Sequence, residues 1–172
     1  RAIMLSHYLT TLEKFDYDEP DVAMIISRDG KEYKIRNSET KVLRDWDHLQ
    51  KDMAIVDIQH PELPLHRDIS KHFSSAKDVD VSLMRAPFSI TMVNPSIVYA
   101  QQAVAEKVLL LETPAQLAAE VAIVGSEFPR VDCIAYPIPT KSGDCGSLIF
   151  YNGKIVGIHA HGNGSWGQAT RM

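Results

Sequence analysis

The sequence predicts an all-β protein, a sandwich or barrel of short antiparallel strands. Short apolar runs recur along the chain, each fenced by Pro, Gly or Asn. Two-residue turn signals, Asp29-Gly30 and Asn152-Gly153, join strand-like runs in pairs. Helical periodicity is weak throughout.

The elements follow in order. Residues 22–27 are apolar and bounded by Pro20 and Asp29-Gly30, and residues 31–36 alternate as the hairpin partner. Residues 53–58 form another strand, stopped by Pro61 and Pro64. Runs at 89–93, 96–101, 107–112, 119–124 and 132–138 come next. Residues 147–151 and 154–160 close the series as a hairpin across Asn152-Gly153. Helical turns are expected at 41–51, 67–74 and 114–121, the last opening on a proline. The polar stretch 74–80 reads as a linker, dividing the chain into 1–77 and 78–172.

Composition excludes several classes. With 172 residues, 45% hydrophobic and 23% charged, the chain is neither disordered nor fibrous. A net charge of -4 gives no global field for nucleic acid, so any such contact needs a local patch. Two cysteines do not make a disulfide scaffold, and a reactive thiol needs a reducing compartment. The longest nearly apolar run, 108–111, is too short for a bilayer, and the first residues lack a signal-peptide pattern. The expectation is a soluble cytoplasmic protein without a membrane segment.

The most informative segment is Thr140-Lys-Ser-Gly-Asp-Cys-Gly-Ser147. Cys145 is bracketed by Gly143 and Gly146 just before a strand. Glycine admits positive φ, and a tight turn can aim successive N–H groups at one point. Negative charge gathers at such a point when a thiolate attacks a carbonyl, so the turn suits an oxyanion hole. The thiolate needs a nearby imidazole. The bland alternative is a buried cysteine in a glycine turn, the reading that fits Cys133 in its strand-like run.

Gly-Asp-Cys-Gly-Ser resembles the Gly-Asp-Ser-Gly-Gly of trypsin-like serine proteases with sulfur in place of oxygen. More closely, the run from Tyr136 to Gly146, then Gly153-Lys-Ile-Val-Gly-Ile-His159, then Gly162-Asn-Gly-Ser165, resembles the picornavirus-like 3C proteases. That family carries Gly-x-Cys-Gly and then a Gly-x-His strand fourteen residues after the cysteine, and His159 stands fourteen after Cys145. The resemblance implies a chymotrypsin-like double β-barrel with the active site in the cleft between barrels. It also implies an N-terminal barrel lacking its first strands, since relatives carry more residues before the base histidine, and it favours strand and loop at 114–121.

In the strand 154–161, Val156, Ile158 and Ala160 share one face and suit a core, and Gly157, His159 and His161 share the other. Gly157 would leave room for a ligand beside His159. The resemblance makes His159, with Thr140, the reader of a P1 glutamine, and adds Gly162 and His161 to the substrate site; many relatives have Gly at the place of His161. Two solvated histidines are the bland alternative. A metal held by His159, His161 and Cys145 lacks a compact ligand set, and no metal or cofactor is expected.

His7 closes an apolar run and precedes Tyr8-Leu9, which is similar to the family's strand ending in its base histidine. Lys51-Asp52-Met-Ala-Ile-Val-Asp57-Ile resembles the family's acid-bearing strand, and His66-Arg-Asp-Ile-Ser-Lys-His-Phe73 continues the match. This register implies Asp52 as the triad acid, with Asp57 second and Asp45 and Asp47 more remote. The implied triad is Cys145, His7 and Asp52, with oxyanion donors from Gly143, Asp144 and Cys145. The implied substrate is a viral polyprotein, and host proteins besides, in the host cell cytoplasm. The family's linker region also binds viral RNA, which points to Arg67 and Lys71; composition there, with Asp68 between them, equally describes a solvated helix. A protease-like module that only binds RNA or protein is the alternative.

Overall fold

Two turns set the hairpins. At Asp29-Gly30 φ is 51° and 76°, and at Asn152-Gly153 it is 48° and 72°. Positive φ at both central residues matches the right-handed twist of the flanking strands. The computed structural model describes residues 1–11, 19, 21–46, 51–75, 88–94, 99–105, 109–111, 133–136, 138–162 and 164–172. The chain forms two compact units, one of Arg1–His48 with Asp52–Arg67 and one of Leu49–Lys51 with Asp68–Met172.

In the first unit, β1 (Ala2–Met4), β5 (Ala54–Ile58) and β4 (Thr40–Asp45) form a three-stranded antiparallel sheet with β5 central. Helix α1 (Ser6–Thr11) follows β1 at once. The hairpin β2 (Val22–Arg28) and β3 (Lys31–Arg36) makes a second sheet. Alternation is visible in β3, where Tyr33 and Ile35 are buried between exposed neighbours. Leu5, Ala54 and Val56 are fully buried and form the core with Ala23 and Met53.

A helical turn was expected over 41–51; residues 41–45 are strand instead, and 47–50 lie outside the described residues. β4 pairs with β5, and Trp46 N donates to Met53 O at 3.0 Å, prolonging the ladder. Cross-strand pairing with a buried neighbour outweighs the local propensity of Lys, Leu and Arg. The turn expected over 67–74 reduces to a 3₁₀ turn at Ser70–His72, preceded by Asp68, whose Oδ1 accepts the Ser70 N–H. The readings at 114–121 and 119–124 lie outside the described residues.

Among the described residues the second unit forms a seven-stranded antiparallel sheet. Its strands are β6 (Phe88–Asn94), β7 (Tyr99–Ala105), β8 (Leu109–Leu111), β9 (Cys133–Tyr136), β10 (Leu148–Tyr151), β11 (Lys154–Gly162) and β12 (Gly167–Arg171). Their order is β7-β6-β10-β11-β12-β9-β8. All of β9 and residues 155–160 of β11 are buried. Both faces of β11 are therefore covered, where alternation suggested one. Gly157 belongs to this packing. A Cβ there would lie 2.8 Å from Thr170 O and 3.1 Å from Ala169 Cβ. Its missing side chain lets β12 approach and leaves no room for a ligand.

Candidate active site

In the first unit, α1 delivers His7 to Asp52, just ahead of β5. The His7 N–H donates to Asp52 Oδ1 at 2.9 Å, and His7 Nδ1 lies 2.5 Å from Asp52 Oδ2. The Asp52 side chain is fully buried and the His7 ring is 29% exposed. A carboxylate at Nδ1 holds the proton there and leaves Nε2 as the basic nitrogen. The Tyr8 ring stands edge-on to His7 at 4.7 Å between centroids. Asp57 lies inside β5 opposite Lys41 and accepts from Gln59 Nε2 at 3.2 Å. Asp45 accepts from the buried Ser6 hydroxyl at 2.7 Å. Asp47 lies outside the described residues.

In the second unit, the segment 140–147 folds into a double turn. Asp144 N donates to Lys141 O at 3.1 Å, and Ser147 N donates to Asp144 O at 3.1 Å. Gly143 and Gly146 take φ of 94° and 87°, the region L side chains avoid. β11 closes the turn, for Gly146 N donates to His159 O at 2.9 Å and His159 N to Ser147 O at 2.8 Å. The Cys145 N–H makes no hydrogen bond to a described residue. Of the three expected oxyanion donors, Asp144 is thus corrected, because its N–H is committed inside the turn. Cys145 is half-buried, and its thiol points at Ala160 O, 3.3 Å away. Ala160 is the extra residue of a β-bulge, since β11 advances from His159 to His161 while β12 moves only from Ala169 to Gln168. The bulge breaks the shared face assumed for His159 and His161. No disulfide joins Cys145 to Cys133, which is buried in β9 with Gln168 Nε2 2.6 Å from its sulfur.

His159 is 1% exposed, not solvated. Its Nδ1 lies 2.5 Å from the Tyr136 hydroxyl. Burial pushes the imidazole down to about 4, with His161 adding to this and Asp144 opposing it. Burial likewise lifts the Tyr136 phenol well above its usual range, aided by Cys145, Asp144 and Cys133. The phenol therefore keeps its proton and His159 is a neutral ring; a Tyr136 O–H donated to Nδ1 places the ring's own proton on Nε2. The Thr140 hydroxyl is buried without a partner among the described residues. A Cβ on Gly162 would collide with it, so Gly162 is where Thr140 packs. His161 is half-buried, and Arg67 and Lys71 are exposed.

Sequence reasoning missed Tyr136. The residue stood inside the matched motif, but nothing in spacing says that its hydroxyl reaches a ring twenty-three positions on. It also missed Ser6 and the bulge at Ala160. Among the described residues no three His, Cys, Asp or Glu side chains gather as a metal site, and no helix is long and apolar enough to cross a membrane.

A nearly all-β chain with a glycine-flanked cysteine turn defines a protein of the chymotrypsin-like protease class. Solved structures share the fold. A human pathogenic astrovirus serine protease aligns with TM-score 0.51 at 11% identity, over 99% of this chain and 76% of its own. A catalytically inactive tobacco etch virus protease complexed with substrate aligns with TM-score 0.50 at 14% identity, over 86% and 59%. The family model of the 3C cysteine protease (picornain 3C) matches residues 15–164, and the chain belongs to that family. Among its relatives, the genome polyprotein of Human rhinovirus 1B is 29% identical over 159 residues, and that of Human rhinovirus 1A is 30% identical over 146. These alignments cover 91% and 83% of this chain but only 7% and 6% of the polyproteins.

Proposed function

We propose that this chain is a viral polyprotein-processing cysteine endopeptidase that cuts after glutamine, with Cys145 as nucleophile, His7 as base and Asp52 as the acid that orients it. His7 Nε2 takes the proton from Cys145 Sγ, and sulfur bonds to the scissile carbonyl carbon. The N–H groups of Gly143 and Cys145 stabilise the resulting oxyanion. The tetrahedral species collapses, and the leaving amine departs with the proton from His7. Water, deprotonated by His7, then attacks the thioester and releases the thiolate and the new carboxyl terminus.

One observation carries this reading furthest: the buried, uncharged His159 fixed through Tyr136. Its Nε2–H and the Thr140 hydroxyl suit the carbonyl oxygen of a P1 glutamine. A glutamate carboxylate would enter the same place without a countercharge, at a desolvation cost of several kcal/mol in order of magnitude. His161 borders the subsite. Polyprotein and host-protein substrates in the host cell cytoplasm belong to the same proposal.

The test is cleavage of a peptide with a central Gln-Gly bond, beside a Glu-Gly peptide and the Cys145→Ala variant. Cleavage of the first alone, abolished in the variant, is the expected outcome. A folded parent that cuts neither peptide would overturn the reading in favour of a protease-like binding module. RNA at Arg67 and Lys71 is a second, independent proposal. Its one support is the Lys154 ammonium bound to Lys71 O at 2.9 Å, which adds a cation beside Lys71. RNA affinity that falls steeply with salt and survives Cys145→Ala supports it, and salt-independent or absent binding rejects it.

A further inference from the structure

Asp144 stands next to the nucleophile, and its N–H has left the oxyanion set. Its carboxylate is the feature that remains unexplained. The residue is 1% exposed, unusual for an acidic side chain one position from a half-buried cysteine. Its Oδ2 accepts the Lys141 N–H at 2.8 Å. Its own N–H reaches Lys141 O, and its carbonyl accepts from Ser147 N–H, both at 3.1 Å. These three bonds bracket both positive-φ glycines. The pair with Lys141 encloses Gly143, and the bond to Ser147 encloses Cys145 and Gly146. Open chain at two positive-φ glycines would otherwise relax among many conformations.

We propose that the Asp144 carboxylate is a positioning residue that locks the turn 141–147, so that the Gly143 and Cys145 N–H groups face the developing oxyanion. The carboxylate touches neither substrate nor the reacting atoms. It acts through the Lys141 amide, and a charge-assisted hydrogen bond to a backbone N–H is the stronger kind. The Tyr136 phenol and the His159 ring both feel this charge, so the carboxylate acts within electrostatic reach of the residues proposed to read P1. One buried group thus ties the oxyanion donors to the specificity residues. The inference rests on the proposed protease function.

The experiment compares the parent with Asp144→Ala and Asp144→Asn on the Gln-Gly peptide, separating kcat from KM. Alanine removes the acceptor, and kcat falls about a hundredfold with KM within about threefold, the scale of losing an oxyanion donor. Asparagine keeps an acceptor for the Lys141 N–H and recovers kcat to within about tenfold of the parent. If the alanine variant fails to fold by circular dichroism, Asp144→Leu, which has the branched shape of aspartate and no acceptor, carries the same expectation. An alanine variant with parental kcat, a loss confined to KM, or an asparagine variant as poor as alanine overturns the inference alone. A parent without activity overturns the protease reading and this inference together.

Discussion

The two units hold their candidate site residues by opposite means. In the first, two side chains forty-five positions apart meet, and Asp52 grips both the ring and the backbone of His7. In the second, one short backbone turn presents Cys145, with two glycines at positive φ and hydrogen bonds that close the turn on itself. The difference lies in what can be lost. A side-chain pair depends on two residue identities and on the fold that joins them. A backbone turn tolerates change at most side chains but not at its conformational hinges.

The largest expected effect breaks the side-chain arrangement. Asp52→Asn keeps the shape but removes the charge opposite Nδ1. It should lower kcat by roughly 10³–10⁴, with KM little changed, as loss of the orienting acid does in such triads. Asp57→Asn should leave kcat within about twofold, because Asp57 bonds Gln59 rather than His7. Steady-state kinetics of the two variants decide it, and the reverse ranking would move the acid to Asp57.

Next comes a stability change in the second unit. The folded His159 pKa is depressed from 6.5 to about 4, so the unfolded chain binds a proton more readily. Its contribution is fully present above pH 6.5, is lost as pH falls from there towards 4, and changes no further below. The loss is about 3 kcal/mol. Urea titrations at several pH values should show this slope, and His159→Gln should remove it. An unchanged slope in that variant would assign the acid sensitivity elsewhere.

The smallest expected effect isolates the backbone turn. At Gly143 a Cβ would meet no atom within 4 Å, so Gly143→Ala introduces strain and no clash. A positive φ at alanine costs about 1–2 kcal/mol. Activity should fall about tenfold while the melting curve moves by only a few degrees. An alanine variant with full activity would show that the turn does not need φ near 94° at this position.

Much of this was legible in the chain. Asp29-Gly30 and Asn152-Gly153 predicted both hairpins, because positive φ is a local demand that few residues meet. The turn around Cys145 was legible for the same reason. The strand at 40–45 was not, because its partner β5 decides it and local propensity does not. The covered second face of β11 and the role of Gly157 depend on β12, which no pattern within β11 reveals.

By itself the sequence determined the strand class, the hairpin turns, the cysteine motif and its distance to His159. These rest on short-range sterics and periodicity, which act between neighbours. Tertiary structure decided that Asp52, the acid the family register favoured, contacts His7 and Asp57 bonds Gln59 instead, and that the Tyr136 hydroxyl meets the His159 ring. It alone committed Asp144's amide to Lys141 O and buried its carboxylate. Each of these is a hydrogen bond or a burial whose free energy depends on which partner the folded chain brings within reach, and that is settled only when strands distant in sequence pair.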